Sequence, residues 1–312
     1  MTRILITGAA GMVGRALLDE LCGKGHEVIA TDLRAPDRLD GAVRFSPMDV
    51  TSDDPGRVIA TERPEVIVHL ASIVTPPKGS TRDLEYAVDV DGTRKVLEAA
   101  IAAGTRRIVV TSSGAAYGYH ADNPVPLHED DPVRGNTEFP YSHHKRLVEE
   151  MLAEARQSFP ALEQVVLRVG TVLGPGTENQ ITALFHKPRL LALQGSDSPF
   201  VFIWTRDLAR ILERAATDGP AGIFNVAGDG AMAVDDLARE LNKPVLRLPA
   251  TLLKGALSVA KPLGLSRYGP EQVRFLQYRP VLANDALKQK FGYVPEKSSR
   301  EVFALWKEAA GL

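Results

Sequence analysis

The 312-residue chain contains a single cysteine, Cys22, two tryptophans and only 6% aromatic residues. One thiol excludes an intramolecular disulfide and a cysteine-built zinc site, and Cys22, within a helical pattern, reads as inert packing. No apolar run approaches the roughly 20 residues that a membrane-spanning helix needs. With 37 basic against 39 acidic side chains the net charge is −2, so there is no basic field for nucleic acid. Internal repeats and low-complexity segments are missing too. The seven histidines show no ligand spacing: His143 and His144 are adjacent and point about 100° apart on a helix, His69 ends a buried strand, and His26, His120, His128 and His186 are scattered. No metal is expected. Thr2-Arg3-Ile4-Leu5-Ile6 opens directly on a strand pattern, which leaves no secretory leader and makes a cytoplasmic location the expectation. An apolar content of 44% suffices for a buried core.

What is present is an alternation. Strand-like runs at 3–7, 27–31, 66–70, 107–111 and 164–168 are separated by helical patterns at 12–23, 55–61, 83–103 and 141–157. Such alternation predicts an α/β fold with a parallel sheet covered by helices on both faces. At the first strand–helix junction stands Gly8-Ala9-Ala10-Gly11-Met12-Val13-Gly14. A turn of this kind aims unpaired backbone N–H groups and a helix dipole at an anion, and glycines let the backbone approach a pyrophosphate. The three-and-three spacing differs from the usual dinucleotide fingerprint, so a glycine-shaped tight turn is the alternative. The second strand ends in Asp32, placed to meet an adenine ribose and favour NAD; Arg34 and Arg38 keep NADP open, and a plain cap is the other reading.

Further segments follow in order: Met48-Asp49-Val50, Val66 to Ala71, Asp89-Val90-Asp91-Gly92-Thr93, Thr111-Ser112-Ser113 with Tyr117-Gly118, Tyr141-Ser142-His143-His144-Lys145, and Leu173-Gly174-Pro175-Gly176. With the glycine turn, these make the chain resemble the extended short-chain dehydrogenase/reductases, the NAD-dependent epimerase/dehydratase group, from Ile4 to about Gly228. The resemblance implies a Rossmann-like, doubly wound parallel sheet over 1–173 and a smaller C-terminal α/β substrate lobe over 174–312, with parts of 206–227 packing back on the sheet. It implies a cofactor site at Gly8, Gly11, Met12, Val13, Gly14 and Asp32, with Asp49 and Val50 beside the adenine and Leu70 and Ala71 along the pyrophosphate path. Asp89 stands next to the cofactor where the family usually has Asn. Tyr141 and Lys145 are implied to be catalytic, joined by Ser113, which precedes Tyr117 at the family's offset. Ser112 reads instead as a strand-end hydroxyl bonding its own backbone. The resemblance also implies a homodimer through the helices near 83–103 and 141–157.

These residue types suit hydride transfer. A proton must leave the carbinol oxygen, yet a phenol with a pKa near 10 is a poor base at neutral pH. Lys145, one turn after Tyr141, lies on the same helix face and favours the phenolate, and Ser113 would share charge at the substrate oxygen.

Substrate choice is read from departures. Ser113 is followed by Gly114-Ala115, not the Asp-Glu of the 4,6-dehydratases. Phe200 occupies the place of a diphosphate-binding arginine, and Arg279-Pro280 is followed by Val281-Leu282 in place of Gly-Asp. Thr171 stands where epimerases have Asn. An apolar pocket from Phe200, Phe202, Trp204, Ile181, Leu184 and Phe185 is expected, with the helical pattern at 251–260 as a lid or as core packing. The leading expectation is therefore an NAD(P)-dependent dehydrogenase or reductase acting on a small or lipophilic secondary alcohol or ketone. Nucleotide-sugar 4-epimerisation with retained NAD is the alternative, and a non-catalytic dinucleotide sensor the third reading.

Overall fold

The computed structural model describes residues 1–312 except 41–42, 78 and 267–268. In chain order its elements are β1 (Arg3–Thr7), α1 (Met12–Leu21), β2 (Glu27–Asp32), β3 (Val43–Pro47), α2 (Asp54–Glu62), β4 (Val66–His69), α3 (Arg82–Tyr86), α4 (Gly92–Ala103), β5 (Arg107–Ser113), α5 (Pro140–Ser158), β6 (Glu163–Val169), β7 (Thr171–Leu173), α6 (Gln180–Phe185) and β8 (Leu190–Leu193). They continue with β9 (Phe202–Trp204), α7 (Thr205–Ala216), β10 (Gly222–Val226), α8 (Val234–Leu241), β11 (Val245–Leu248), α9 (Ala250–Ala260), α10 (Gln272–Gln277), α11 (Asp285–Gln289) and α12 (Ser299–Ala309).

Seven strands form one parallel sheet in the order β10-β6-β5-β4-β1-β2-β3. This is the doubly wound, Rossmann-like arrangement, with the strand order reversing between β1 and β4. Both sheet faces are buried, which is why its strands read as near-continuous apolar runs. Ile4, Ile6, Val28 and Ala30 point to a core shared with Leu17 and Leu18 of α1 and Ile211 and Leu212 of α7. Leu5, Ile29, Ile67 and Ile108 point the other way, against Ile59 of α2, Val96 of α4 and Val148 and Leu152 of α5.

From β7 onward a smaller lobe carries two two-stranded parallel sheets, β11-β8 and β7-β9, and a third core around Phe185, Phe202, Phe303 and Trp306. α7 and β10 lie in the same stretch of sequence but belong to the large sheet, β10 pairing with β6 and α7 packing on α1.

The helix expected at 83–103 is interrupted. Residues Ala87–Asp91 form a π-helical turn between α3 and α4. The wider turn draws Asp89 inward to polar partners, and Gly92 brings α4 onto Val50, where a β-carbon would lie 2.8 Å from Cγ2. Short edge elements with weak periodicity, β3, β8 and β11 among them, have no counterpart in the sequence expectations.

Candidate active site

The C-terminal ends of β1 and β4 open the crevice where strand order reverses. Gly8 has φ +68°, and a β-carbon there would lie 2.7 Å from the Ala71 amide nitrogen. A β-carbon on Gly14 would run into the Gly8 carbonyl oxygen, whereas one on Gly11 would meet it at 3.2 Å. Gly11 caps α1 without a side-chain bond, so the first N–H groups of α1, beginning at Met12 and Val13, receive no cap from its side chain. This is the geometry of an anion cradle. Asp32 ends β2 beside it, accepting from the Ala10 N–H at 3.0 Å and the Leu33 N–H at 2.7 Å. Thr177 of the small lobe reaches Met12 Sδ at 3.5 Å. Asp49 accepts from the Thr51 N–H and hydroxyl at 2.8 and 2.7 Å, and Val50 is buried against Gly92.

A buried hydrogen-bonded chain runs under this cradle. The Leu70 and Ala71 N–H groups donate to Thr7 Oγ1 at 3.1 and 3.2 Å, Thr7 Oγ1 meets His69 Nδ1 at 2.8 Å, and His69 Nε2 meets Thr93 Oγ1 at 2.9 Å. Thr93 donates to the Asp89 carbonyl at 2.6 Å. That last bond fixes the direction of all the others: Thr93 must accept from His69 Nε2–H, so Nδ1 accepts from the Thr7 hydroxyl. His69 is therefore neutral, and burial followed by the Lys145 charge pushes its pKa down to about 3. The Asp89 carboxylate takes the Ser72 hydroxyl at 2.9 Å and the Ile73 N–H at 2.8 Å on one oxygen, and His144 Nδ1 at 3.0 Å on the other.

Helix α5 starts at Pro140, whose fixed φ suits a first turn, and sets Tyr141 and Lys145 one turn apart. The Lys145 ammonium lies 5.4 Å from the Tyr141 ring centroid and donates to the Thr111 carbonyl at 2.9 Å. Burial lowers the Lys145 pKa, with Asp89 and Glu149 opposing. Burial pushes the Tyr141 phenol up to about 12, and a hydrogen bond with the Ser113 side chain acts in the other direction. Ser113 and Ser112 point to opposite faces of β5. Ser112 donates to Glu149, which is itself gripped by Arg168 at 2.7 Å, while the Ser113 hydroxyl accepts the Ala115 N–H at 3.2 Å. Sequence spacing picked out Ser113, Tyr141 and Lys145, and the fold brings them together. Asp89 and His144 join them from the π-turn and from α5.

On the lobe side, Thr171 pairs with Phe202 between β7 and β9. Phe202 is fully buried, stacked on Phe200 and Phe303, and Phe185 sits edge-on to both Phe200 and Trp306. Ile181, Leu184 and Trp204 pack against the same core. None of α9 is buried; it packs against α10.

Arg279, which the sequence reading set aside because Val281-Leu282 follows Pro280 in place of Gly-Asp, and Tyr119, which it did not single out, pack together on the lobe side. Arg279 lays its guanidinium 3.9 Å from the centroid of Phe200 and 4.9 Å from that of Phe275, donates to the Ser198 carbonyl at 2.6 Å, and has a buried Nε–H with no protein partner. Burial drags its pKa down to about 9, with Tyr119 opposing. Tyr119 packs edge-on to Phe139 and Phe275, and its buried phenol is raised further by Tyr141, which joins Arg279 to the Tyr141 neighbourhood. The position that lacks an arginine in sequence, Phe200, is the platform for an arginine 79 residues later in the chain. Among the described residues no cluster of three His, Cys, Asp or Glu side chains is arranged to hold a metal.

The profile of the NAD dependent epimerase/dehydratase family matches residues 4–227. A UDP-glucose 4-epimerase of Mycolicibacterium smegmatis is 33% identical over 326 residues, covering 97% of this chain and 96% of its own. An uncharacterized protein of Mycobacterium tuberculosis is 24% identical over 99% of this chain and 84% of its own. Among solved structures, MoeE5 in complex with UDP-glucose and NAD superposes with TM-score 0.76 at 23% identity, over 99% of this chain and 98% of that one. The UDP-glucose 4-epimerase of Thermotoga maritima with UDP-glucose gives 0.77 at 21%, over 99% and 98%. At these identities the two structures share the fold.

Proposed function

The chain belongs to the NAD-dependent epimerase/dehydratase family, and from that premise we propose that it binds NAD in the crevice between β1 and β4 and acts on a nucleoside-diphosphate sugar, inverting a carbinol carbon as a 4-epimerase does. The cradle fits a dinucleotide: without β-carbons, Gly8 and Gly14 let the turn close tightly against the backbone of Ala71 and of Gly8 and Ala9, and Asp32 offers a carboxylate to a ribose. When bound, NAD supplies a hydride acceptor and, reduced, a hydride donor.

The chain's own residues handle the proton. Tyr141 is the base for the carbinol hydroxyl, but its burial makes the bare phenol too weak, so Lys145 must supply the charge that favours the phenolate. Ser113 donates to the substrate oxygen and holds it in line. Leu70 and Ala71 border the pyrophosphate path, and Asp49 and Val50 the adenine.

The observation that carries the sugar-nucleotide reading is Arg279. A half-buried guanidinium whose buried Nε–H has no partner, beside the Tyr141 neighbourhood, calls for an anion, and a diphosphate suits its fork. A lipophilic alcohol finds less support, because Phe202 and Phe185 are spent in the lobe's core. The same reading includes a two-fold dimer through α3, α4 and α5, where Leu84 and Tyr86 are exposed.

The test is to denature the purified protein, identify released dinucleotide by mass, and record melting temperature with UDP and UDP-sugars. Stabilisation by UDP-glucose that Arg279→Met abolishes, with the response to NAD intact, is expected. Stabilisation by secondary alcohols and none by any nucleoside diphosphate would sink the reading.

A further inference from the structure

We propose that Asp89 is a positioning residue for the proton chemistry of this site: its buried carboxylate, fixed against α5 by His144, is the counter-ion of Lys145 and opposes the charge that Tyr141 takes on as a base until the positive charge of a bound NAD joins them. The inference rests on the reading that Tyr141 and Lys145 move the proton. The π-helical turn brings the group in: Asp89 stands in the middle of Ala87–Asp91, is buried, and the turn packs on α5. Its carboxylate collects the Ile73 N–H and the Ser72 hydroxyl on one oxygen and His144 Nδ1 on the other. Burial would favour the neutral acid, but His144, Lys145, Ile73 and Ser72 outweigh it, so Asp89 is a carboxylate.

A buried ammonium calls for an anion, and the surrounding groups leave Asp89 in that place. From β5, Lys145 meets only the uncharged Thr111 carbonyl. Glu149, one turn further along α5, is held by Arg168 of β6 through three bonds between 2.7 and 3.1 Å and by the Ser112 hydroxyl, so that pair closes on itself. His69 of β4 is neutral, as its hydrogen bonds require. Tyr86 of α3 meets His144 edge-on at 5.5 Å, His143 lies on the far side of His144, and Tyr119 stands between Tyr141 and Arg279. Above pH 8 an imidazole carries no charge of its own. Burial drags the Lys145 pKa down, while Asp89 and Glu149 hold it up. For Tyr141, burial pushes the phenol up to about 12, the Ser113 side chain draws it down, and Asp89 raises it. An ammonium already answered by a carboxylate leaves less of its charge for a phenolate, and the remainder falls to the cofactor.

Asp89→Asn removes the charge and keeps the contacts: the amide oxygen accepts from Ile73 and Ser72, and the amide N–H donates to His144 Nδ1, which becomes the acceptor. The experiment is absorbance titration of the Tyr141 phenolate from pH 8 upward on the full-length protein without cofactor, each variant read against the same variant carrying Tyr141→Phe. Asp89→Asn should bring the transition down by about one pH unit and shrink the further shift that NAD causes. His144→Asn disturbs the same pair but leaves the carboxylate, and should titrate as wild type. With UDP-glucose as substrate, the acid limb of the pH–rate profile should move down by a similar amount in Asp89→Asn. Melting temperatures identify a variant that does not fold, and Asp89→Ser then takes the place of Asp89→Asn. Titration of the charge-free variant at the wild-type pH, or equal shifts with His144→Asn, would overturn the proposal. The titration needs no substrate, so a protein that turns over no nucleotide sugar would sink the sugar reading and leave this outcome standing.

Discussion

Asp89 and His144 meet at 3.0 Å although 55 residues separate them in the chain, and each is at most 4% exposed. The contact joins the π-helical turn to α5 one residue before Lys145. Through its second oxygen Asp89 also holds Ser72 and Ile73 of the loop after β4, so one carboxylate ties the proposed cofactor path to the helix carrying Tyr141 and Lys145.

Removing one side of this pair leaves the other buried without its partner. His144→Phe should cost about 3–5 kcal/mol in urea unfolding, and His144→Asn, which can still donate to Asp89, clearly less. Burial alone would raise the Asp89 pKa, but His144, Lys145, Ile73 and Ser72 outweigh it and hold it below the ordinary carboxylate range. Its stabilising share is thus present above about pH 4 and lost only as the solution becomes more acidic. Equal costs for the two His144 variants would contradict the pairing.

His69 should act in a different pH window. Its folded pKa of about 3 lies below the unfolded value near 6.5, so the unfolded chain binds the proton first and stability falls as pH drops from about 6.5 toward 3, by up to about 1.4 kcal/mol per unit. Denaturant melts at pH 7 and 5 should show a clearly steeper loss of stability in wild type than in His69→Gln, which keeps only the smaller contribution of groups such as His143. Nitrogen-15 spectra should find the His69 proton on Nε2; a proton on Nδ1 would turn the Thr93 hydroxyl onto Nε2 and break its bond to the Asp89 carbonyl.

The glycine turn should rank by what a β-carbon would hit. Gly14→Ala and Gly8→Ala drive it against backbone, costing about 1–3 kcal/mol or more and weakening NAD binding, whereas Gly11→Ala meets one oxygen at 3.2 Å and should be the mildest. Calorimetric NAD titrations and melting temperatures on the three variants test the order.

For Tyr141, replacement by Phe should retain NAD binding and lower turnover about 10²–10⁴-fold. In the wild type without cofactor, phenolate absorbance from Tyr141, isolated by difference against Tyr141→Phe, should not develop until about pH 12, and adding NAD should move it to lower pH. A Tyr141 that titrates at the same pH with and without NAD would remove the cofactor's positive charge from the proposed activation.

Local chemistry made much of this protein legible. Buried parallel strands such as Ile4-Leu5-Ile6 and Val66-Ile67-Val68 announce themselves because both faces are covered, the glycine turn lies within one strand–helix junction, and Tyr141 and Lys145 stand one turn apart on one helix. Edge pieces such as β3 and β11 did not, since at five and four residues they are too short for their pattern to stand out from the surrounding loops.

By itself, then, the sequence determined the main parallel strands and the helices between them, the glycine turn at Gly8 to Gly14 and the one-turn spacing of Tyr141 and Lys145, because each depends on backbone geometry and spacing within a short stretch. Tertiary structure alone decided the pairing of Asp89 with His144, the neutral tautomer of His69, and the seating of Arg279 on Phe200 where the local motif has no arginine. Burial and partnership set those properties, and both depend on side chains that only folding brings within hydrogen-bond or stacking distance.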